Sequence, residues 1–167
     1  MRQRQVHVQI HSLGNLCAWA RMSLVLLLAI IVSACANASA NAGKKLTIST
    51  QGNQLLFTQS ELQVSAGDKV LLTFTNDPAA LQHNWVLVKG GDAVAQQVSD
   101  AVLAAGLENG LLPADQSAIL AHSPLLDSGA QATITFTAPT VPGTYTYLCT
   151  FPGHYIVGMK GTLLVEP

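Results

Sequence analysis

Apolar residues recur at every second position in several short segments between Lys45 and Pro167. This period is typical of β-strands that bury one face and expose the other. Turn-forming groups rich in Gly, Pro, Asn and Asp separate the segments. Many short strands separated in this way predict an antiparallel sandwich or barrel. The clearest predicted strands are Leu62–Val64, Val70–Thr75, Thr133–Thr137, Thr144–Leu148 and Gly161–Glu166.

One stretch, residues 92–107, departs from this pattern. It is rich in Ala, Val and Gln, and its apolar residues fall at helical spacing. Asp92 is suited to cap a helix here, and Gly106 or Gly110 to end it. The sequence therefore predicts a helical excursion between two strands, followed by a loop that includes Pro113, Asp115 and Pro124.

The N-terminal segment has the composition of an export signal and contributes to a chain that is 49% hydrophobic and 10% charged. Three arginines precede Leu24–Val32, an uninterrupted apolar run of nine residues. A helix that spans a bilayer needs about 20 such residues. A positive leader, a short apolar run and then small residues are typical of a secretory signal. Because the leader is long, Met22 is an alternative start to Met1.

The apolar run ends in Val32-Ser-Ala-Cys35, which resembles the lipobox of bacterial lipoproteins. We therefore predict a lipoprotein signal peptide over residues 1–34 and a lipidated Cys35 with a flexible tether over 35–44. The folded domain is predicted over 45–167. The expected location is the outer, periplasmic or extracytoplasmic face of the cell membrane, held there by a lipid anchor. The alternative is ordinary cleavage near Ala40, which releases a free domain.

Removal of the signal changes both the charge and the cysteine count. Residues 36–167 contain five lysines and nine carboxylates, so their formal net charge is −4. Nucleic-acid binding, which requires a basic patch, is therefore not indicated. With Cys17 removed and Cys35 acylated, Cys149 is the last thiol, which excludes a disulfide within one mature chain.

The remaining cysteine opens a stretch in which Cys149, His154 and Met159 follow one another at intervals of five. Pro152 and Gly153 permit a sharp turn that returns His154 to Cys149. Thiolate, imidazole and thioether together are the ligands that select copper. Taken singly, each residue has an ordinary alternative: a structural cysteine, a surface-loop histidine and a core methionine.

A second histidine ligand is expected from the scaffold. His83 lies at the start of the apolar strand predicted within Leu81–Val88, just after the turn at Asn76-Asp-Pro78. His122 lies beyond the helical excursion in a polar loop, and we assign it to the surface. His83 is therefore the candidate that completes the cluster.

The segments HNWVL at His83–Leu87 and CTFPGH at Cys149–His154 resemble the azurin-like cupredoxins, a family of type 1 blue copper proteins. The resemblance extends over roughly Lys45 to Pro167 and includes Leu111–Ser117 and Met159–Thr162. Within the family, the four residues between His154 and Met159, and Gln82 before His83, are similar to the auracyanin group. The resemblance implies an all-β Greek-key sandwich of about eight strands.

The resemblance also implies one copper ion per chain. His83, Cys149 and His154 would be its trigonal ligands, and Met159 a long axial ligand. The Gln82 carbonyl would face the copper from the opposite side, and whether it comes close enough to coordinate is left open.

Asn84 is expected to support these ligands by hydrogen bonding to the loop near Cys149 and Thr150, with Phe151 also close to the metal. The alternative for Asn84 is a plain polar residue at a strand edge. Trp85 is expected in the core.

The predicted function is electron transfer between Cu(II) and Cu(I), without enzymatic activity. A binuclear copper centre requires two loop cysteines, and His122 alone cannot supply a second copper site. The alternative is a periplasmic protein that stores or delivers copper, but such sites are Met-rich and this domain has one methionine outside its signal. The auracyanin resemblance implies a monomer that carries electrons between a quinol-oxidising complex and a photosynthetic reaction centre or its cytochrome.

The electron is expected to leave through His154, with one edge of its ring at the surface. Uncharged residues near that edge form a predicted docking patch. The alternative is ordinary loop packing. The predicted patch comprises Leu81, Phe151, Pro152, Ile156 and Val157.

Overall fold

The computed structural model describes residues 43–78, 80–106 and 109–167, all of which belong to one compact unit. The predicted signal peptide, the Cys35 lipidation site and the tether up to residue 42 lie outside the described residues. Position 107, the predicted end of the helical excursion, lies outside them as well.

Nine strands within these residues form two sheets that pack face to face, which confirms the predicted all-β sandwich. The first sheet has the order β2-β1-β4-β7, and the second has the order β3-β9-β8-β5-β6. The first sheet consists of β1 (Lys44–Gln51), β2 (Gln54–Phe57), β4 (Lys69–Thr75) and β7 (Gln131–Thr137). The second consists of β3 (Glu61–Ser65), β5 (Val86–Val88), β6 (Ile119–His122), β8 (Gly143–Leu148) and β9 (Lys160–Glu166).

Two strand pairs are parallel, which corrects the expectation of a purely antiparallel sandwich. β1 pairs in parallel with β4, with Lys44 opposite Val70, and β3 pairs in parallel with β9. In both cases the chain crosses to the other sheet before it returns, so the partners are distant in sequence. Local alternation identifies a strand but carries no information about such a partner.

The core lies between the sheets, where the period-two pattern places alternate side chains. In β4, Val70, Leu72 and Phe74 are buried, whereas Leu71 between them is exposed. Each fully buried side chain of this kind contributes about 1.5–3 kcal/mol to folding. Trp85 is also fully buried, as expected, and its ring lies 5.7 Å from that of Tyr147.

The predicted excursion is present as helix α1 (Asp92–Ala105). Its N-cap residue is Gly91 and not Asp92, whose carboxylate is engaged elsewhere. Gly106 ends the helix at φ 81°, and its N–H donates to the carbonyl of Val102. Glycine adopts this left-handed conformation at little cost. In the part of the chain that the structure describes, no helix is long and apolar enough to cross a membrane.

Two local expectations require correction. His122 is exposed, as predicted, but it lies at the end of strand β6 opposite Val86 and not in a polar loop. The strand near His83 begins only at Val86, and His83 itself forms an isolated bridge with Leu126. Regular strand pairing is interrupted between His83 and Val86. There the Trp85 N–H donates to the side-chain hydroxyl of Ser123 and not to a main-chain carbonyl of the neighbouring strand.

Candidate metal centre

The loop after β8 folds back on itself through its own main chain. Cys149 directly follows the last residue of β8, and its N–H donates to the carbonyl of Met159 over 3.1 Å. The N–H of Met159 in turn donates to the carbonyl of His154 over 2.9 Å. These two hydrogen bonds bring together three residues that are five positions apart in sequence.

The predicted sharp turn lies inside this loop. The N–H of His154 donates to the carbonyl of Phe151 over 3.0 Å, and Gly153 has φ 84°. Proline at the second position and a left-handed glycine at the third are the features of a type II turn. Pro152 and Gly153 thereby point the chain back, so that the His154 ring comes to lie beside Cys149.

His83 reaches the same place from the first sheet. After β4 the chain passes Asn76, whose side-chain amide donates to the carbonyls of Leu81 and Leu126 over 3.1 and 3.0 Å. His83 and Leu126 then exchange main-chain hydrogen bonds of 3.2 and 2.8 Å. Asn76 is fully buried and fixes the approach to His83. The sequence marked it only as part of a turn, since a buried asparagine and a turn asparagine look alike in a single sequence.

The three predicted side chains converge in a small buried cluster. The Cys149 Sγ lies 3.7 Å from the Nδ1 of His83 and 3.5 Å from the Nδ1 of His154. The ligand atoms all lie within 4.8 Å of one another. Cys149 is fully buried, and His83 and His154 are 1% and 3% exposed.

These distances fit a metal ion. Metal bonds of about 2.0–2.1 Å to imidazole and about 2.3 Å to thiolate separate the nitrogen from the sulfur by about 3.8 Å at a trigonal angle. The observed 3.5 and 3.7 Å are close to this value. Thiolate together with two imidazoles is a donor set suited to copper. The residues present therefore fit one copper ion.

Burial sets the protonation of the metal-free cluster. Desolvation raises the pKa of Cys149 to about 11. Desolvation, with a smaller contribution from the nearby His83, lowers the pKa of His154 to about 4, and desolvation also lowers the pKa of His83. At neutral pH the cysteine is a thiol and both imidazoles are neutral. The histidines are ready to bind a metal, whereas Cys149 must first release its proton.

Asn84 joins the two segments that carry the cluster. Its amide nitrogen donates to the Thr150 hydroxyl over 2.7 Å, and its amide oxygen accepts the Thr150 N–H over 2.9 Å. Asn84 is fully buried and lies beside His83, whereas Thr150 lies beside Cys149. These are the hydrogen bonds that the sequence predicted for Asn84.

A third segment completes this link: Leu111 belongs to a motif of the family resemblance, but the sequence did not indicate its contact with the loop. The Thr150 hydroxyl donates to the carbonyl of Leu111 over 2.6 Å. Leu111 is buried and has φ 62°, an uncommon conformation for a leucine. No local signal in the sequence marks a leucine for this conformation. Phe151, also predicted near the metal, stacks on the His154 ring with centroids 4.6 Å apart.

Two further ligand candidates have different surroundings. Met159 is fully buried, and its main chain bonds to both Cys149 and His154. Gln82 is exposed, and its side-chain amide donates to the carboxylate of Asp127 over 2.6 Å. Coordination by Met159 or by the Gln82 carbonyl remains a prediction.

The predicted docking patch is partly exposed. Leu81, Ile156 and Val157 are exposed by 42%, 68% and 62%, whereas Phe151 and Pro152 are half-buried. His154 is less accessible than expected, since at 3% exposure its ring is almost wholly covered. His83 also borders an open pocket of about 250 Å³ that is lined by Asn53, Leu55, Ala80 and Leu81.

Comparison with known proteins agrees with this geometry. Residues 44–166 match the family model of copper binding proteins of the plastocyanin/azurin family. The chain is 48% identical to auracyanin-A of Chloroflexus aurantiacus over 121 residues. This alignment covers 72% of this chain and 74% of that protein. It is 46% identical over 114 residues to auracyanin-B of the same bacterium, which covers 68% of this chain and 48% of that protein.

The fold matches as well. The reduced auracyanin of the photosynthetic bacterium Roseiflexus castenholzii superposes with a TM-score of 0.71 at 43% identity, over 76% of this chain and 100% of that one. Cupredoxins of this kind are electron carriers and not enzymes. With its buried His83–Cys149–His154 cluster, the chain belongs to the plastocyanin/azurin family as a blue copper electron-transfer protein of the auracyanin/azurin type.

Proposed function

We propose that the protein is a membrane-tethered electron carrier whose copper is held by His83, Cys149, His154 and Met159. The observation that carries this proposal is the buried cluster of three donor atoms. The Cys149 Sγ lies 3.7 Å from the Nδ1 of His83 and 3.5 Å from the Nδ1 of His154. When bound, copper supplies the one-electron couple between Cu(II) and Cu(I). The residues of the chain hold its donor atoms in place and exclude water from them.

The proposed role of the surrounding hydrogen bonds is to keep that geometry the same in both redox states. Cu(II) and Cu(I) prefer different coordination, so a ligand set free to relax would rearrange at every electron transfer. Here the loop is closed by Cys149–Met159 and Met159–His154 main-chain hydrogen bonds and tied through Asn84 to the segment that connects β4 to β5. We propose that the Met159 thioether would be a further, weak ligand of the copper.

Titration of the purified full chain with Cu(II) tests the metal assignment. We expect one copper per chain and an intense charge-transfer absorption from the Cys149 thiolate, which disappears on reduction. Cys149→Ser and His154→Ala should abolish the strong colour, whereas His122→Ala should leave it unchanged because His122 is exposed and outside the cluster. A Cys149→Ser variant that stayed fully blue would refute the assignment.

We propose that the exposed apolar residues Leu81, Ile156 and Val157 form the docking surface for redox partners. Phe151 supports this role because it stacks on His154 just beneath the surface. A carrier must dock weakly and briefly, and a small uncharged patch is easily dehydrated. A carboxylate placed there would have to lose water at each encounter.

Val157→Asp and Val141→Asp form a matched pair for this test. Val141 is 67% exposed and precedes β8, at the end of that strand opposite Cys149. Electron self-exchange between oxidised and reduced copies, measured by NMR line broadening, should slow about tenfold in Val157→Asp, equivalent to about 1.4 kcal/mol. It should barely change in Val141→Asp. Equal rates in the two variants would place the electron's exit elsewhere.

We further propose that the protein carries electrons between a quinol-oxidising complex and a photosynthetic reaction centre or its cytochrome. The support is the source of its relatives, since the auracyanins of Chloroflexus aurantiacus and Roseiflexus castenholzii come from photosynthetic bacteria. Oxidation of the reduced protein by membranes isolated from its own source, on illumination, would test this role. No oxidation in the light would argue against it.

The proposed membrane tether at Cys35 is compatible with the topology of the domain. β1 starts at Lys44 and runs parallel to β4, the strand whose far end leads to His83. The chain therefore enters the domain at the end opposite the metal ligands, and a tether there would leave the docking surface free. Two acyl chains hold a protein stably at a membrane. Cys35→Ala should move the protein to the soluble fraction, and persistent membrane association would favour an uncleaved signal anchor.

A further inference from the structure

A single carboxylate oxygen contacts two residues, one directly after the loop histidine and the other directly after the methionine. Asp92 lies in the first turn of α1, and its Oδ1 accepts hydrogen bonds from the Tyr155 hydroxyl over 2.8 Å and the Lys160 ammonium over 2.6 Å. Tyr155 directly follows His154, and Lys160 directly follows Met159. One atom of the helix thus holds the neighbours of two proposed copper ligands.

Further contacts stiffen this arrangement, which we call the Asp92 clamp (Asp92, Tyr155 and Lys160). Tyr155 is 5% exposed and packs in the apolar cluster between α1 and the second sheet. Its hydroxyl also lies 3.3 Å from the main-chain carbonyl of Asp92. The Lys160 ammonium lies 4.9 Å from the centre of the Tyr155 ring, within the range of a cation–π contact. The three side chains therefore contact one another pairwise.

We propose that Asp92 is a positioning residue that fixes the separation of His154 from Met159, and with it the strength of the axial thioether bond. This inference rests on the proposed copper function. Hydrogen-bond partners outside a metal's own ligands orient those ligands and tune the site. The axial ligand in turn adjusts the redox potential. A clamp that fixes the chain directly after both ligands is placed to control this bond.

The competing explanation is an ordinary surface ion pair. The side chains of Lys160 and Asp92 are 38% and 62% exposed, and pairs of this exposure contribute little to stability. The two explanations predict different observations. An ion pair without a positioning role would leave the copper spectrum unchanged, whereas loss of the clamp would change the spectrum with little effect on stability.

Three variants of the full chain separate these cases. Asp92→Ala removes the shared acceptor, and Asp92→Asn keeps an acceptor oxygen but loses the charge. Asp100→Ala is the matched control, because Asp100 lies on the same helix and bonds only to Gln96 among the described contacts of its side chain. Each variant is loaded with Cu(II), and its thiolate charge-transfer bands, EPR spectrum and midpoint potential are measured beside its thermal stability.

We expect Asp92→Ala to change the intensity ratio of the charge-transfer bands and to raise the midpoint potential, in the direction of a weakened axial bond. Asp92→Asn should lie closer to the wild type, and Asp100→Ala should match the wild-type spectrum. A charge-transfer band ratio in Asp92→Ala identical to that of Asp100→Ala would overturn the inference. This holds even if the midpoint potential shifts in both variants, because an equal shift is explained by the loss of one negative charge. Failure of the proposed function is a separate result, since the wild-type chain would then show no charge-transfer band.

Discussion

Replacement of Asn84 by alanine would remove the side chain that joins the two ligand-bearing segments. Asn84 donates to the Thr150 hydroxyl over 2.7 Å and accepts the Thr150 N–H over 2.9 Å. Both residues are buried, so water cannot replace either bond without a rearrangement of the site. The variant therefore tests whether the cluster is held together before any metal binds.

The expected loss of stability follows from the two bonds. The Thr150 N–H is left buried without an acceptor, which costs about 1–3 kcal/mol. The Thr150 hydroxyl loses a donor but still donates to Leu111, so this second loss costs about 0.5–1.5 kcal/mol. The free energy of unfolding should fall by about 1.5–4.5 kcal/mol in total.

Urea unfolding of the copper-free protein measures this change, because copper binding would stabilise the folded state by mass action and mask it. Asn53→Ala is the matched control: Asn53 is exposed and accepts one hydrogen bond from the Ala80 N–H. Its loss should cost less than about 1 kcal/mol. A double-variant cycle with Thr150→Ala should give a coupling energy of about 0.5–1.5 kcal/mol, because only the bond to the Thr150 hydroxyl is removed by both changes. An Asn84→Ala variant as stable as Asn53→Ala would refute the reasoning.

Three further predictions concern the axial ligand, the buried histidine and the strand next to the loop. Met159→Leu should keep the copper but raise its midpoint potential, and Met159→Gln should lower it, because the oxygen is a harder donor; no shift in either would make Met159 a core residue only. The copper-free protein should lose up to about 3 kcal/mol of stability between pH 6.5 and about 4, because the unfolded chain binds a proton on His154 before the folded chain does. His154→Ala should be less sensitive to pH in this range, and equal pH profiles would contradict the prediction. Gly161→Ala should cost about 1–3 kcal/mol by urea unfolding, because its new methyl group would overlap the Tyr147 ring, which the hydrogen bond to Gln59 holds in place; wild-type stability would show that the ring can move.

The sequence predicted the elements whose signal is local. Alternation identified β4, β7 and β8 to within a residue or two, because each buries one face against the opposite sheet. Strands β1, β2 and β6 were not predicted individually. β2 and β6 span four residues each, too few for a period to be distinguished from chance.

Three of the four proposed ligands were also predicted from a local signal. Cys149, His154 and Met159 lie within eleven residues, so their spacing is visible in the sequence. His83 was selected because His122 was assigned to the surface, and the family resemblance then supported that choice. Asn84 was inferred from its position next to His83.

The residues that hold the ligand segments in place from elsewhere in the chain could not be predicted from local sequence patterns. Leu111 and Asp92 bond to the ligand loop across 39 and 63 positions of sequence, and Asn76 bonds to Leu126, the bridge partner of His83, across 50 positions. Their side chains or conformations are ordinary until the fold brings them to the loop. Sequence patterns therefore specify the donor atoms of such a site better than they specify what holds those donors in place.

The ligand loop is fixed by a hydrogen bond to each of three other segments: Asn84 before β5, Leu111 after α1, and Asp92 at the start of α1. None of these contacts uses a metal ligand's donor atom, so none has to break when the charge of the metal changes. Folding of the chain alone places the Cys149 sulfur and the two histidine nitrogens next to one another, so the donor atoms are in place before copper binds. For the buried links through Asn84 and Leu111, the stability of the apoprotein and the constancy of the site between redox states then have one cause, and variants that loosen them should weaken both together. Loss of the exposed Asp92 link should change the site with little effect on stability.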